Sequence, residues 1–158
     1  METTLCYIEQ SDCYLMLLRN KKEQDPSAGK WIGVGGKVLP GETPEECVLR
    51  EVEEETGFVL LDYQARGMVR FNSDSWESED MYVFSAQNFA FAPMTPIHDG
   101  LPLPECNEGT LAWIPKDQIM DLSLWEGDRL FLQKLLDGKK DVSMTLTYEG
   151  DTLVSVEE

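Results

Sequence analysis

A chain of 158 residues with a formal net charge of −17 is long enough for one domain with a sizeable core. Apolar residues at 42% and charged residues at 27% are ordinary for a folded globule. The acidic balance excludes a nucleic-acid binder, because no basic stripe exists to neutralise a phosphate backbone. The opening METTLCYIEQ has neither a basic leader nor a long apolar run, and no segment reaches the roughly 20 apolar residues that span a bilayer. The expected location is the cytosol.

Thr3 to Glu9 and Cys13 to Arg19 read as two strands joined by a turn at Gln10-Ser11-Asp12. Asn20 to Lys30, with Pro26 and Gly29, reads as a loop. Trp31 to Val34 is a short strand that runs into the glycine turn Gly33-Val34-Gly35-Gly36. A helix is expected from Pro44 to Thr56: Thr43, Pro44 and Glu46 form a capping box with proline in the first turn, and Gly57 is a stop. Ala65 to Asn72 and Met81 to Ala92 are strands around an acidic loop, Ser73 to Asp80, and Thr95 to Asn107 is a proline-rich loop. Gly109 to Ile114 is a strand, Lys116 to Leu122 a short helix and Gly127 to Asp137 a longer one. Val142 to Tyr148 and Thr152 to Val156 alternate around Gly150-Asp151 as a hairpin. The mixture predicts an α/β fold, a mixed sheet with helices on its faces.

The four cysteines, Cys6, Cys13, Cys47 and Cys106, show no Cys-x-x-Cys spacing and are expected as buried, reduced thiols. The single histidine, His98, lies in the proline-rich loop, so zinc chemistry and a Ser-His-Asp triad both lack their parts.

On the expected helix Glu51, Glu54 and Glu55 stand at i, i+3 and i+4, so their carboxylates share one face, while Val48 and Val52 form an adjacent stripe able to dock on a sheet. Like charges at this spacing cost roughly 0.2–0.5 kcal/mol per exposed pair. A hard divalent cation with oxygen ligands relieves the repulsion, so a Mg²⁺ or Mn²⁺ site explains the pattern better than a solvated acidic face.

From Gly35 the chain reads GGKVLPGETPEECVLREVEEETGF. Five residues separate Gly36 from Glu42, seven separate Glu42 from Arg50, and Arg50-Glu51-Val52-Glu53-Glu54-Glu55-Thr56-Gly57-Phe58 completes the run. This resembles the Nudix box of hydrolases acting on nucleoside diphosphate derivatives, and every fixed position is met. The order of Thr4, Arg19, Gly29-Lys30-Trp31, the box, Trp113, Trp125 with Asp128 and a closing hairpin is similar to the MutT-type branch, which hydrolyses oxidised purine nucleoside triphosphates.

The resemblance implies one Nudix domain over residues 1–158, with an α/β/α sandwich and a C-terminal hairpin. It implies a metal held by the Gly35 carbonyl and by Glu51, Glu54, Glu55 and Glu108, with Glu51 or Glu54 as the general base. Substrate would meet Thr4, Arg19, Ile32, Gly35, Gly36, Lys37 and the stretch Trp125, Glu126, Gly127 and Asp128. The indole would offer a stacking face and Asp128 a bond to the base edge. Glu42 and Arg50 would orient the ligand carboxylates.

Ile32 stands where vertebrate members carry a polar side chain, and Gly127 lacks a carboxylate found there, so fewer polar groups remain for reading the base. The implied substrate is a nucleoside triphosphate such as 8-oxo-dGTP, split to monophosphate and pyrophosphate for nucleotide-pool sanitation. The alternatives are a dinucleoside polyphosphate, a nucleotide sugar, or a non-catalytic nucleotide-sensing module. Monomer and homodimer both stay open.

Overall fold

The computed structural model describes residues 1–21, 25, 27–91, 97–98, 101–102 and 109–158. In chain order the elements are β1 (Glu2–Gln10), β2 (Cys13–Leu18), β3 (Trp31–Ile32), α1 (Pro44–Thr56), β4 (Phe58–Leu60), β5 (Gln64–Ser73) and β6 (Glu79–Ala86). There follow β7 (Phe89–Phe91), β8 (Ile97–His98), β9 (Leu101–Pro102), β10 (Thr110–Pro115), a 3₁₀ segment Lys116–Asp121, α2 (Glu126–Leu136), β11 (Met144–Glu149) and β12 (Thr152–Glu157).

The main sheet runs β10-β2-β1-β6-β5-β11-β12, with β3 also on β2. It is mixed: β1 lies parallel to β6 and β11 parallel to β5, and the other pairings are antiparallel. Ser11 and Asp12 both hold positive φ, 52° and 61°, so a two-residue turn matching the strand twist sets the β1–β2 hairpin. Those strands pair only at Glu9↔Tyr14 and Gln10↔Cys13. Towards the start of β1 the glycine segment takes the place of β2, with bridges at Cys6↔Val34 and Thr3↔Lys37.

Alternation along β1 and β2 divides the interior in two. Leu5, Tyr7, Tyr14 and Met16 face a core completed by Phe131 and Leu132 of α2. Cys6, Ile8, Leu15 and Leu17 face the opposite core, where Val48 and Val52 of α1 are fully buried. Phe58, Phe89 and Trp113 stack at its edge, with ring centroids 4.5–6.2 Å apart. The layers are helix, sheet, helix, as expected.

Several element limits differ from the sequence expectation. The strand expected over Met81 to Ala92 breaks at Gln87-Asn88, because Phe89–Phe91 leaves the main sheet to pair with β4. Three residues between Gly57 and Leu61 are too few for alternation to announce β4. The strand expected over Trp31 to Val34 pairs with β2 only at Trp31 and Ile32, since Val34 hydrogen-bonds to Cys6 of β1 instead. The short helix expected over Lys116 to Leu122 is a 3₁₀ segment, Lys116–Asp121. Within the loop expected over Thr95 to Asn107, Ile97–His98 pairs with Leu101–Pro102. Cys6, Cys13 and Cys47 are buried free thiols, and Cys106 lies outside the described residues. No described helix is long and apolar enough to cross a membrane.

Candidate active site

Helix α1 is closed at both ends by local chemistry. Glu46 N–H donates to Thr43 Oγ1 at 3.1 Å while Thr43 N–H donates to Glu46 Oε1 at 3.0 Å. Gly57 adopts φ 75° and returns its N–H to Glu53 O at 2.8 Å. With Cys47, Val48 and Val52 buried beneath, the helix turns Glu51 and Glu55 towards a cleft. Glu55 is 7% exposed there.

The glycine segment crosses this helix at close range. Thr4 N–H donates to Gly36 O at 2.8 Å and Cys6 N–H to Val34 O at 2.6 Å. By the alternation of an extended segment, the Gly35 carbonyl is left on the other side. A Cβ on Gly35 would sit 2.0 Å from Thr4 O, and one on Gly36 would sit 2.5 Å from the Glu51 carboxyl carbon. At Gly35 the obstacle is backbone and only a hydrogen fits, whereas a side chain at Gly36 would have to displace the Glu51 carboxylate. The Thr4 hydroxyl lies 3.2 Å from Cys47 Sγ, and Cys47 Sγ donates to Lys37 O at 3.4 Å, which ties β1, the glycine segment and α1 together. Burial raises the Cys47 thiol above its ordinary value.

Arg50 braces the same junction. Its Nε and Nη2 donate to the two Glu42 oxygens at 2.7 and 2.9 Å, Nη1 donates to Glu51 at 2.7 Å and to Glu54 at 3.2 Å, and Nη2 also donates to Lys37 O at 3.0 Å. The fork holds Glu42 down at about 2, with the Leu39 N–H adding to the effect. Among the described residues no three His, Cys, Asp or Glu side chains stand gathered around one point. Arg50 draws Glu51 and Glu54 towards itself.

The cleft has a volume of about 670 Å³. Besides the carboxylates it takes in Trp125, which ends the loop before α2, and Asp128 in the first turn of that helix. Trp125 is fixed on three sides. Its Nε1–H donates to Ser27 Oγ at 3.1 Å, Lys30 Nζ stands 4.9 Å from the ring centroid, and Tyr148 meets it edge-on at 5.4 Å. Asp128 is 5% exposed. Burial first, and the negative charge of Glu79 second, raise its carboxyl to about 7 against the opposing pull of Lys30.

Of the residues singled out from the sequence, Thr4, Arg19, Ile32, Gly35, Gly36, Lys37, Glu51, Glu55, Trp125 and Asp128 line this one cleft. Arg19 Nε donates to Asp25 Oδ2 at 2.6 Å. Glu54 is outside the lining, with its side chain 59% exposed beside Arg50, and Glu42 and Arg50 stand at the loop–helix junction. Glu126 and Gly127 do not line the cleft. A Cβ on Gly127 would come within 2.5 Å of Leu146 Cδ1 and 2.6 Å of the Tyr148 hydroxyl, which accepts the Gly127 N–H at 2.8 Å, so packing accounts for a glycine here. Glu108 lies outside the described residues.

The sequence reading passed over Asp25, Phe71, Trp76, Glu79 and Tyr148, which also line the cleft. Phe71 and Glu79 are register partners at the loop end of the β5–β6 hairpin. Trp76 and Glu79 fall within the acidic loop Ser73 to Asp80, which local pattern marks only as a connection.

A mixed sheet between two helices, with a capped acidic helix and a glycine segment meeting over a cleft, defines a class of hydrolase. The NUDIX domain matches residues 2–135, and the chain belongs to the Nudix family. An oxidized purine nucleoside triphosphate hydrolase of Mus musculus is 33% identical over 140 residues, 88% of this chain and 83% of that protein. An uncharacterized Nudix hydrolase of Bacillus subtilis (strain 168), YvcI, is 30% identical over 149 residues, 92% of this chain and 85% of its own. The crystal structure of a MutT protein from Bacillus halodurans superposes with a TM-score of 0.80 at 25% identity, covering 99% of this chain and 95% of that one.

Proposed function

We propose that this Nudix hydrolase, a single catalytic domain, splits purine nucleoside triphosphates, oxidised ones such as 8-oxo-dGTP included, into the monophosphate and pyrophosphate. The observation that carries the reading is the shared cleft: Glu51, Glu55 and the glycine segment open onto the same 670 Å³ space as Trp125 and Asp128. That space suits a phosphate chain and a base held at once. The mouse relative, an oxidized purine nucleoside triphosphate hydrolase, supports the same substrate class.

The donor set fits a hard divalent ion. Carboxylate oxygens of Glu51 and Glu55 face the cleft beside the glycine segment, and a buried carboxylate such as Glu55 is stable when a cation meets it. Glu51, Glu55, the Gly35 carbonyl and, after leaving Arg50, Glu54 would hold Mg²⁺ or Mn²⁺. Bound there, the ion supplies charge neutralisation of the phosphates and a more acidic water.

The protein's own groups do the rest. Arg50 releases or retains Glu51 and Glu54 and so sets where their oxygens point. A glutamate of this face, Glu51 or Glu54, takes the proton of the attacking water. Lys37 and Arg19 line the cleft and present cationic donors to phosphate oxygens. With a net charge of −17 the protein repels a free polyphosphate, so cations between the two anions are needed for association as well as for chemistry.

The test is a screen with Mg²⁺ of 8-oxo-dGTP, dGTP, a dinucleoside polyphosphate and a nucleotide sugar, with pyrophosphate and orthophosphate read separately. Pyrophosphate from the purine triphosphates, lost in Glu55→Gln, is expected. Preferential turnover of a nucleotide sugar or a dinucleoside polyphosphate would replace this reading, and turnover of none of them would leave a nucleotide-binding module.

A further inference from the structure

The cleft that takes in Asp128 also takes in a second acid, Glu79, from the first residue of β6. Thr3 donates its hydroxyl to Glu79 Oε2 at 2.6 Å. Thr3 lies on β1, next to β6, and is itself buried. This anchors Glu79 through one carboxylate oxygen at the wall of the cleft. Its negative charge bears on Asp128 across the cleft. An anchored carboxylate and a buried carboxyl that share one cleft do not both carry charge at low cost, since like charges in a shared site push one proton back on. Asp128 is the deeper of the two and keeps that proton.

We propose that Glu79 is a specificity-determining residue of the base pocket, supplying the acceptor beside the Asp128 donor, so that the pair reads a purine edge carrying an acceptor next to an N–H, as O6 and N1–H of guanine do. The inference rests on the cleft being a nucleotide site. It also explains how the pocket reads a base with Ile32 and Gly127 at positions that offer no polar side chain. The second acid comes from the sheet, where the strand register Phe71↔Glu79 puts it, and not from the first turn of α2, where Leu146 and Tyr148 leave no room.

Among the described residues the groups that act on Asp128 or feel its charge are few enough to name. They are Glu79 on β6, Lys30 before β3, Tyr7 on β1 and Tyr148 on β11. Burial raises the Tyr7 phenol well above its ordinary value and Tyr148 to about 12, so neither phenol ionises near neutrality. Lys30 is placed over Trp125 and favours the charged form of Asp128, against Glu79. Removing the charge of Glu79 therefore lets Asp128 lose its proton at lower pH.

The experiment uses the whole protein and needs no turnover. Guanosine and 1-methylguanosine, in which the N1–H is replaced, are titrated by tryptophan fluorescence from pH 5.5 to 8.5, with magnesium pyrophosphate as the probe of the phosphate end. In the wild type, guanosine affinity is expected to fall as pH passes about 7, and 1-methylguanosine to bind more weakly. Glu79→Gln should move that fall to lower pH. Glu79→Leu should weaken guanosine about tenfold, the value of one hydrogen bond to a charged group, and erase its advantage over 1-methylguanosine. Pyrophosphate binding stays unchanged in both. An unmoved midpoint in Glu79→Gln, a retained guanosine preference in Glu79→Leu, an equal loss of pyrophosphate binding, or no guanosine binding by the wild type would each overturn the proposal. If these binding results hold but no triphosphate is hydrolysed, the proposed catalytic function fails and the role of Glu79 stands.

Discussion

Asp128 keeps its proton to about 7 in the folded chain, against about 4 for a free aspartate. Between those values the folded state binds a proton that the unfolded state has released, so stability falls as pH rises through the window and is fully reduced above 7. The shift corresponds to a loss on the order of 4 kcal/mol. Urea unfolding at pH 5 and pH 8 should show about two thirds of this drop in the wild type and a much smaller one in Asp128→Asn. Glu42 has the opposite sign: Arg50 depresses it to about 2, so its contribution is present at neutral pH and disappears as pH falls below about 4. At Gly127 the question is steric. Gly127→Asp restores a carboxylate in the first turn of α2 but drives its Cβ towards Leu146 and Tyr148. The melting temperature should fall by the equivalent of about 1–3 kcal/mol of overpacking, with no sharper base preference.

Helix α1 is a short amphipathic element that carries repelling carboxylates, and two devices offset that cost. The first is the reciprocal cap of Thr43 and Glu46; Thr43→Ala should cost about 1 kcal/mol in chemical unfolding. The second is Arg50, which joins Glu42, Glu51, Glu54 and the Lys37 carbonyl. Arg50→Ala leaves partly buried acids unpaired and removes the brace on the glycine segment. It should destabilise by about 1–3 kcal/mol and lower kcat as well, because Glu51 and Glu54 lose their common anchor. Arg50→Lys keeps the charge without the planar fork and should recover stability more than rate. A kcat unchanged in Arg50→Ala would show that the anchor does not order the acids for reaction. Glu54→Gln separates the two effects: kcat should drop on the order of 10²-fold, while the melting temperature in EDTA stays level or rises as repulsion is relieved.

For the molecule as a whole, a net charge of −17 together with an acidic cleft means that cations act on stability and function together. An ion bound only by the folded state adds RT ln(1 + [L]/Kd), about 2.7 kcal/mol at a hundredfold excess over Kd. For a chain of this size that is roughly 5–10 °C in Tm. Differential scanning fluorimetry should show this rise with Mg²⁺ or Mn²⁺, and a larger rise when a nucleotide is present. A rise matched by Na⁺ at equal ionic strength would mean simple screening of the surface charge.

The sequence by itself determined what depends on neighbours in the chain. The cap at Thr43, the stop at Gly57, the apolar pair Val48 and Val52 and the acids at i, i+3 and i+4 are all set within a few turns of one helix, and the box spacing carries the family. The mixture of strands and helices likewise foretold a mixed sheet with helices on its faces. Contacts between distant segments were decided only in the tertiary structure. Gly35 is required by the Thr4 backbone, Gly36 leaves room for the Glu51 carboxylate, Gly127 is required by Leu146 and Tyr148, and the pairing of β4 with β7 is set by where the chain turns after Gly57. Glu79 reaches the cleft because β6 lies beside β1 and in register with Phe71. Asp128 holds its proton because folding withdraws it from water next to that acid. Spacing along a chain reports which side chains share a face; it carries no record of which faces meet, and burial and charge coupling arise only where they do.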